Sequence, residues 1–430
     1  MTSSLFIGLA ALLLLAAIGV PIALSMALAG FIGFGLIVGW PGALAMVGQT
    51  AFDTAFSYNL AILPLFILMG NFITRARLSE DLYSAAYAFV GHLRGGLALS
   101  TLLACTGFSA VCGSSLATAA TMSRVTMPSM RKFGYKDSLA TGAIAAGGTL
   151  GILIPPSIAL VLYGLMTNTD IDKLFIAGVI PGLIGLALYC AAAWLVAVAD
   201  PAAGPPGERS SWRQRLQVMR RVWGVATLFI VVIGGIYLGV FTSTEAAGIG
   251  AGFAGIFAII RGKMGLRECF EVLVDTTRMT AMLFIVVIGA LIFSHFVNVG
   301  GLLQALEAWV KLMKLGPVEV LLGVLVVYII LGLVLESMSM MLLTVPIFFP
   351  LMMSYGFDPI WFGIIVVVVT EISLITPPMG MNIFVLRATL PDVSTHTIVR
   401  GVMPFVMADV LRLALLASVP IITLFLPNRL

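Results

Sequence analysis

Charge is what this chain is shortest of. Only 10% of its 430 residues are Asp, Glu, Lys or Arg, against 60% apolar residues and a mean hydropathy of +1.13. A soluble domain carries roughly a quarter charged residues, so a water-facing globule is excluded. Histidine is nearly missing: His92, His295 and His396 are too few and too scattered for a multi-histidine metal centre. They also leave a serine hydrolase reading of CGSSLA with His295 as its only base at membrane depth, and nothing in the sequence positions it. Four cysteines (Cys105, Cys112, Cys190, Cys269) lie in or beside apolar segments without metal-ligand spacing, and read as small packing residues. A net charge of +4 is too small to call for a nucleic-acid partner.

Long apolar runs are abundant instead. Segments able to cross roughly 30 Å of hydrocarbon recur along the whole chain between short polar breaks, which defines an all-α polytopic membrane protein. The first run, Leu5 to about Gly39, lacks a basic leader and a clear cleavage site and reads as mature structure. One segment is plainly outside the membrane: DPAAGPPGERSSWRQRLQVMRR, Asp200–Arg221, rich in Pro, Gly, Ser and Arg.

That linker divides the chain near its midpoint, and the halves repeat. MPSMRKFGY (Met127–Tyr135) resembles FPLMMSYGF (Phe349–Phe357), and Pro155-Pro156 recurs as Pro377-Pro378, 222 residues on. Gly178 and Pro181 match Gly401 and Pro404 at 223, while Phe72, Leu78 and Leu82 match Phe296, Leu302 and Leu306 at 224. The expected organisation is a first repeat over 1–199, a linker over 200–221 and a second repeat over 222–430. Each repeat holds about five transmembrane helices, a hairpin-like segment (about 95–130 and 316–350) and a broken helix (about 138–166 and 359–388). Helices are expected near 4–20, 21–39, 53–74, 174–199, 222–241, 243–261, 274–298 and 399–426.

The basic residues choose the topology. Arg75, Arg77, Arg94, Arg131, Lys132 and Lys136 flank the 95–130 segment at both ends, which conflicts with a simple span because basic loops gather on one side. A re-entrant hairpin puts all six together with Arg209, Arg213, Arg215, Arg220, Arg221, Arg261, Lys263 and Arg267 on the cytoplasmic side. Among the flanking charges, Lys173, Lys311, Lys314 and Arg429 remain outside. An odd number of crossings per half makes the repeats inverted, with both termini periplasmic.

The breaks carry the chemistry. Non-helical backbone at membrane depth survives only when buried in protein or lining a wet cavity. In GGTLGILIPPS, three glycines permit unusual backbone shapes and two prolines withdraw amide donors, which frees carbonyls one turn back. Facing a hydroxyl-rich hairpin tip, such a break can surround a desolvated Na⁺ with oxygens. A first Na⁺ site is expected from Ser109, Gly113, Ser114, Ser115, Gly147, Gly148, Thr149 and Gly151. The second draws on LVLESMSMM and TEISLITPPMGMN: Glu336, Ser337, Ser339, Thr370, Glu371, Ser373, Thr376 and Gly380, with Met379 continuing the break. By register Thr149 pairs with Glu371, Ser115 with Ser337 and Gly151 with Ser373. Substrate contacts are expected from Ser114, Pro155, Pro156, Pro377, Pro378, Asn382 and Arg387. Taken singly, either proline pair also fits a packing kink, and Glu336 or Glu371 also fits a structural hydrogen bond. Glu245 reads as a helix cap, and Arg387 and Arg412 as snorkelling or paired.

GGTLGILIPPSIALVLYG, then KLFIAGVIPGL, GVFTSTEAAG and TPPMGMNIFVL resemble the large membrane subunit of tripartite ATP-independent periplasmic (TRAP) transporters, over residues 5–425. Ser243 stands where that family usually has proline, Thr370-Glu371 where many members have an asparagine-containing segment, and Glu336-Ser337 where many have Asp-Pro. The resemblance implies an elevator-type importer rather than an enzyme, coupled to two or more Na⁺ ions in the bacterial inner membrane. It implies three partners besides the bilayer: a small four-helix membrane subunit, a periplasmic substrate-binding protein, and an organic anion such as a C4-dicarboxylate, keto acid or sialic acid. A one-component Na⁺- or H⁺-coupled anion symporter, and a channel, are the alternatives.

Overall fold

The computed structural model describes residues 3–429 apart from Arg77, Lys263 and Met379, so the readings on those three residues lie outside the described residues. Among the described residues every regular element is a helix. The first half runs α1 (Ser3–Ala17), α2 (Ile22–Val38), α3 (Trp40–Ala55), α4 (Ile62–Arg75), α5 (Leu78–Val90), α6 (Gly96–Cys112), α7 (Ser115–Lys132), α8 (Asp137–Thr149), α9 (Ile158–Thr167) and α10 (Ile171–Ala199). The second runs α11 (Trp212–Tyr237), α12 (Ser243–Gly262), α13 (Leu266–Val299), α14 (Leu302–Leu312), α15 (Pro317–Gly332), α16 (Ser337–Ser354), α17 (Pro359–Ile375), α18 (Met381–Thr389), α19 (Thr395–Ser418) and α20 (Ile421–Leu424).

From α4 the order of elements in the first half recurs in the second: an apolar helix, a short amphipathic one, a helical pair, an interrupted helix, and a long helix with an internal proline. Two elements depart from the sequence reading. The helix expected at 53–74 begins only at Ile62, and residues 53–55 belong instead to the end of a separate helix, α3 (Trp40–Ala55). The intervening FSYNLA forms a short turn with Pro64 in the first turn of α4, where a missing amide costs nothing. The helix expected from residue 222 starts earlier, at Trp212, where Ser211 and Gln214 exchange backbone bonds in a capping box. The arginines at 213–221 therefore extend that helix out of the apolar region.

The α6–α7 pair is a hairpin: both of its open ends meet the linker. Gly95 N–H donates to Gly204 O at 2.9 Å, and Lys136 N–H to Ala203 O at 3.1 Å. Lys136 also pairs with Asp200, and the Arg131 guanidinium bridges Asp137 (3.0 Å) and Asp392 (2.6 Å) at the same end. These bases hold the Asp200 and Asp392 carboxyls below the usual carboxylate range. Arg215 reaches the Ala88 carbonyl of α5 at 3.0 Å, which ties the start of α11 to this face.

Two apolar clusters fill the interior. The larger joins α2, α4, α12 and α13 to the second hairpin and α17; the smaller is built from α6, α7, α8, α10 and α19. Close backbone approach needs glycine where α8 crosses α19: a Cβ at Gly142 would strike the Gly401 carbonyl, and one at Gly401 the Ser138 carbonyl. Large apolar side chains such as Leu13, Ile230, Ile260 and Met407 face outward, as a lipid-facing surface requires. The chain is a multi-pass membrane protein, with seven helices long and apolar enough to cross alone and further apolar helices of 10–17 residues among the described residues.

Candidate ion and substrate site

Each hairpin tip is made by local chemistry. At the first, Gly113 takes φ +66°, a left-handed shape that favours glycine, and Ser114 caps α7 by accepting from Ala117 N–H at 3.3 Å. At the second, Glu336 caps α16, its carboxylate accepting from Met338 N–H (3.1 Å), Ser339 N–H (3.2 Å) and Ser337 Oγ (2.9 Å). Ser115 and Ser337, paired by register, are the first residues of α7 and α16.

Each broken helix stops opposite its hairpin. After Thr149 the chain tightens into a short turn, Leu150–Ile152, passes Pro155-Pro156 and restarts at Ile158. There Ser157 caps α9, accepting from Leu160 N–H at 3.2 Å and donating its own proton to the Ile152 carbonyl. In the second half α17 ends at Ile375, the chain passes Pro377-Pro378, and α18 starts at Met381. Both Pro-Pro bonds are cis. With 13 and 10 residues, α8 and α9 are about 20 and 15 Å long, so only together do they cross the hydrocarbon.

Some of the predicted residues approach one another closely across these hairpins and breaks. A Cβ at Gly148 would lie 3.1 Å from Ser115 O, one at Gly147 2.7 Å from the Cys105 side chain, and one at Gly151 would overlap Ser109. These glycines let α8 lie against the hairpin. In the second half the partners change sides: Gly332 of the hairpin lies against Ser373 of the broken helix. The halves also interlock, with α7 packing on α18 and α16 on α9, and Asn382 Nδ2 donating to Ala145 O across the two breaks at 2.9 Å.

Among the described residues, three buried hydroxyl or amide oxygens on elements around α8 have no hydrogen-bond partner: Ser109 Oγ, Thr118 Oγ1 and Asn382 Oδ1. A buried orphan oxygen is costly unless something bonds it, and a cation does so. Thr118 was missed in the sequence, although it lies in the same small, hydroxyl-rich stretch as Ser114 and Ser115. The hydroxyls of Thr370, Ser373 and Thr376 donate back to Val366 O, Thr370 O and Ile372 O at 2.6–2.7 Å, and retain lone pairs for a further partner. Arg387 lies apart: it is exposed and bonded to the carbonyls of Pro391 and Val393, both at 2.6 Å. Glu245 caps α12 through Thr242, as its sequence context implies.

Glu371 is held differently from the hydroxyls beside it. It is fully buried and ion-paired with Arg412 of α19, which also pairs with Asp409 one turn earlier (2.8 Å). Tyr189 of α10 donates to Asp409, and Thr149 Oγ1, 3.3 Å from the Tyr189 hydroxyl and 2.8 Å from Ala146 O, has one proton to give to either of them. Asp409 and Tyr189 were not singled out from sequence. The signal was there: Asp409 and Arg412 are opposite charges three residues apart in the otherwise apolar stretch 401–417.

Comparison with known proteins places these features in a family. A family model described as the DctM component of the tripartite ATP-independent periplasmic transporter matches residues 9–422. The C4-dicarboxylate TRAP transporter large permease protein DctM of Pseudomonas aeruginosa is 38% identical over 390 residues, covering 90% of each chain. The ectoine/5-hydroxyectoine TRAP transporter large permease protein UehC of Ruegeria pomeroyi is 33% identical over 429 residues, covering 100% of this chain and 97% of that one. Among solved structures, the Alcanivorax borkumensis YdaH transporter shares the fold, with a TM-score of 0.65 at 15% identity over 89% of this chain and 88% of that one.

Proposed function

The chain belongs to the DctM family of tripartite ATP-independent periplasmic transporters, as a transporter subunit rather than an enzyme, and from that membership we propose that it imports an organic anion by coupling to Na⁺. The observation that carries the reading is the meeting of two hairpins with two helix breaks, with unpartnered buried oxygens beside the first among the described residues. Na⁺ enters the first site through Ser109, Thr118 and carbonyls freed near Gly147–Gly151, and the second through the hydroxyls and carbonyls around Thr370–Gly380. The half-helices α7, α9, α16 and α18 start at the tips and breaks, and their amide-rich N-terminal ends favour a carboxylate between them.

The hairpins and broken helices form a transport body that moves against a scaffold containing α2, α4, α12 and α13, with the two halves inverted in the membrane. A small membrane subunit braces the scaffold, and a periplasmic binding protein delivers the substrate. The relatives named for C4-dicarboxylate and for ectoine show that family membership leaves the cargo open, so a C4-dicarboxylate-like carboxylate is the first cargo to test. The protein sits in the inner membrane with the linker cytoplasmic and both termini periplasmic, the arrangement supported by the basic cluster around Arg131, Lys136 and Arg215.

The test is uptake by proteoliposomes holding this chain with its small subunit. Accumulation should require an inward Na⁺ gradient and the loaded binding protein. Equal uptake by this chain alone, without a binding protein, overturns the reading.

A further inference from the structure

The two halves make one contact twice, with different chemistry. Thr149 and Glu371 correspond at a separation of 222, and Tyr189 and Arg412 at 223, the register of Gly178 and Gly401. In the first half the broken-helix residue meets a hydroxyl on α10, Thr149 to Tyr189. In the second it meets a guanidinium on α19, Glu371 to Arg412. Asp409 joins the two contacts by accepting from Tyr189 and pairing with Arg412. A continuous polar chain, Thr149–Tyr189–Asp409–Arg412–Glu371, therefore runs from one break to the other with every member at 0% exposure.

Packing alone is a poor reason for this chain. Apolar side chains of similar volume fill such a space at less cost, because two carboxylates and a guanidinium must all be desolvated. Ionisable groups at membrane depth mark function by default. Packing around the chain is close. Arg412 lies flat on α10 at Gly185, where a Cβ would overlap its guanidinium, and Tyr189 stacks edge-on against Phe405 at 5.6 Å. A shift of either break must be passed along rather than absorbed.

We propose that Tyr189, Asp409 and Arg412 are positioning residues that couple the two breaks, so that a cation bound at one sets the geometry of the other and loading is cooperative. The proposal rests on the reading of both breaks as cation sites. Coupling of this kind is reciprocal: the first cation strengthens binding of the second by the factor with which the second strengthens the first. Tyr189 is the place to cut. Tyr189→Phe removes the one hydroxyl that joins the first half to Asp409, and leaves the ring contact and both Arg412 ion pairs in place.

The experiment measures substrate uptake against Na⁺ concentration for the wild-type and Tyr189→Phe complexes in proteoliposomes, alongside Na⁺-dependent thermal shift of the purified chain. The wild type should respond with a Hill coefficient of about two and the variant with about one, at a saturating uptake rate changed by less than about twofold. A purely structural loss would lower the saturating rate and leave the steepness alone, so unchanged steepness in Tyr189→Phe overturns the coupling. Asp409→Asn leaves one acceptor oxygen where Tyr189 and Arg412 use two, so it breaks one of the two links and should flatten the curve in the same way; wild-type steepness there also overturns it. A wild type indifferent to Na⁺ removes the cation reading itself and the coupling with it, which separates the two failures.

Discussion

Replacing Arg412 by methionine keeps most of the side-chain volume and removes the one cation that, among the described residues, pairs with Glu371 and Asp409. Both carboxylates are at 0% exposure, so neither can recover its lost partner from water. Removing one member of a buried ion pair costs roughly 3–5 kcal/mol, most of it the penalty of the charge left behind. Unfolding entropy of about 2.1 cal/mol/K per residue gives roughly 0.9 kcal/mol/K over the 430 residues, hence a Tm fall of about 3–6 °C. A membrane protein keeps much of its helix when it unfolds, so its entropy change is smaller and the fall is at least this large. The control is the triple variant Arg412→Met/Glu371→Leu/Asp409→Leu, which removes all three charges and should lie within about 1 kcal/mol of the wild type or above it. Thermal unfolding of the detergent-solubilised proteins reads both. A single variant as stable as the wild type, or a triple variant less stable than the single one, refutes the account of a mutually dependent buried cluster.

Three other outcomes follow from the same packing and charges. Gly148→Leu drives a side chain into Ser115 O (3.1 Å from the Cβ) and Ala119 N (3.4 Å), and should stop uptake while the protein still inserts; Ser115→Ala should stop it by altering the first cation site. Normal Na⁺ dependence in both variants would remove that site assignment. Gly142→Val pushes α8 off α19 and should lower stability by about 1–3 kcal/mol, read by thermal unfolding, whereas a neutral result means the two helices do not touch there. At the linker face, Asp392 titrates below the usual range in the folded protein because of Arg131, so its contribution is present above the ordinary Asp value of about 3.9 and is lost as pH falls through the lower folded value. Arg131→Gln should accordingly flatten the acid edge of the stability–pH curve and reduce its dependence on salt. An unchanged acid edge and salt response would show that the bridge carries nothing.

Much of this architecture was legible in the residues. Two proline pairs at constant register mark both interrupted helices, and basic flanks at both ends of 95–130 mark the first hairpin. Those signals are strong because lipid forbids exposed backbone, so each break in a hydrophobic run needs a local cause such as proline, glycine or a capping serine. The α3–α4 division was harder, since FSYNLA carries weak turn chemistry. Glu371 shows the other limit. Its register with Thr149 marked it as special, but the same residue type fits a cation ligand and an ion pair, and sequence spacing cannot say which partner is nearer.

By itself the sequence determined an all-helical membrane protein, a repeated order of elements, the positions of the hairpin tips and breaks, and the family. These follow from local physics: hydrophobic length, backbone chemistry and register act over one or two turns. Only the tertiary structure decided that α7 lies on α18 and α16 on α9, that Thr118 and Asn382 leave open oxygens beside the first break, and that Tyr189, Asp409 and Arg412 tie Thr149 to Glu371. Those contacts join residues from 40 to more than 220 positions apart, and their energy depends on burial and distance, which no local pattern encodes.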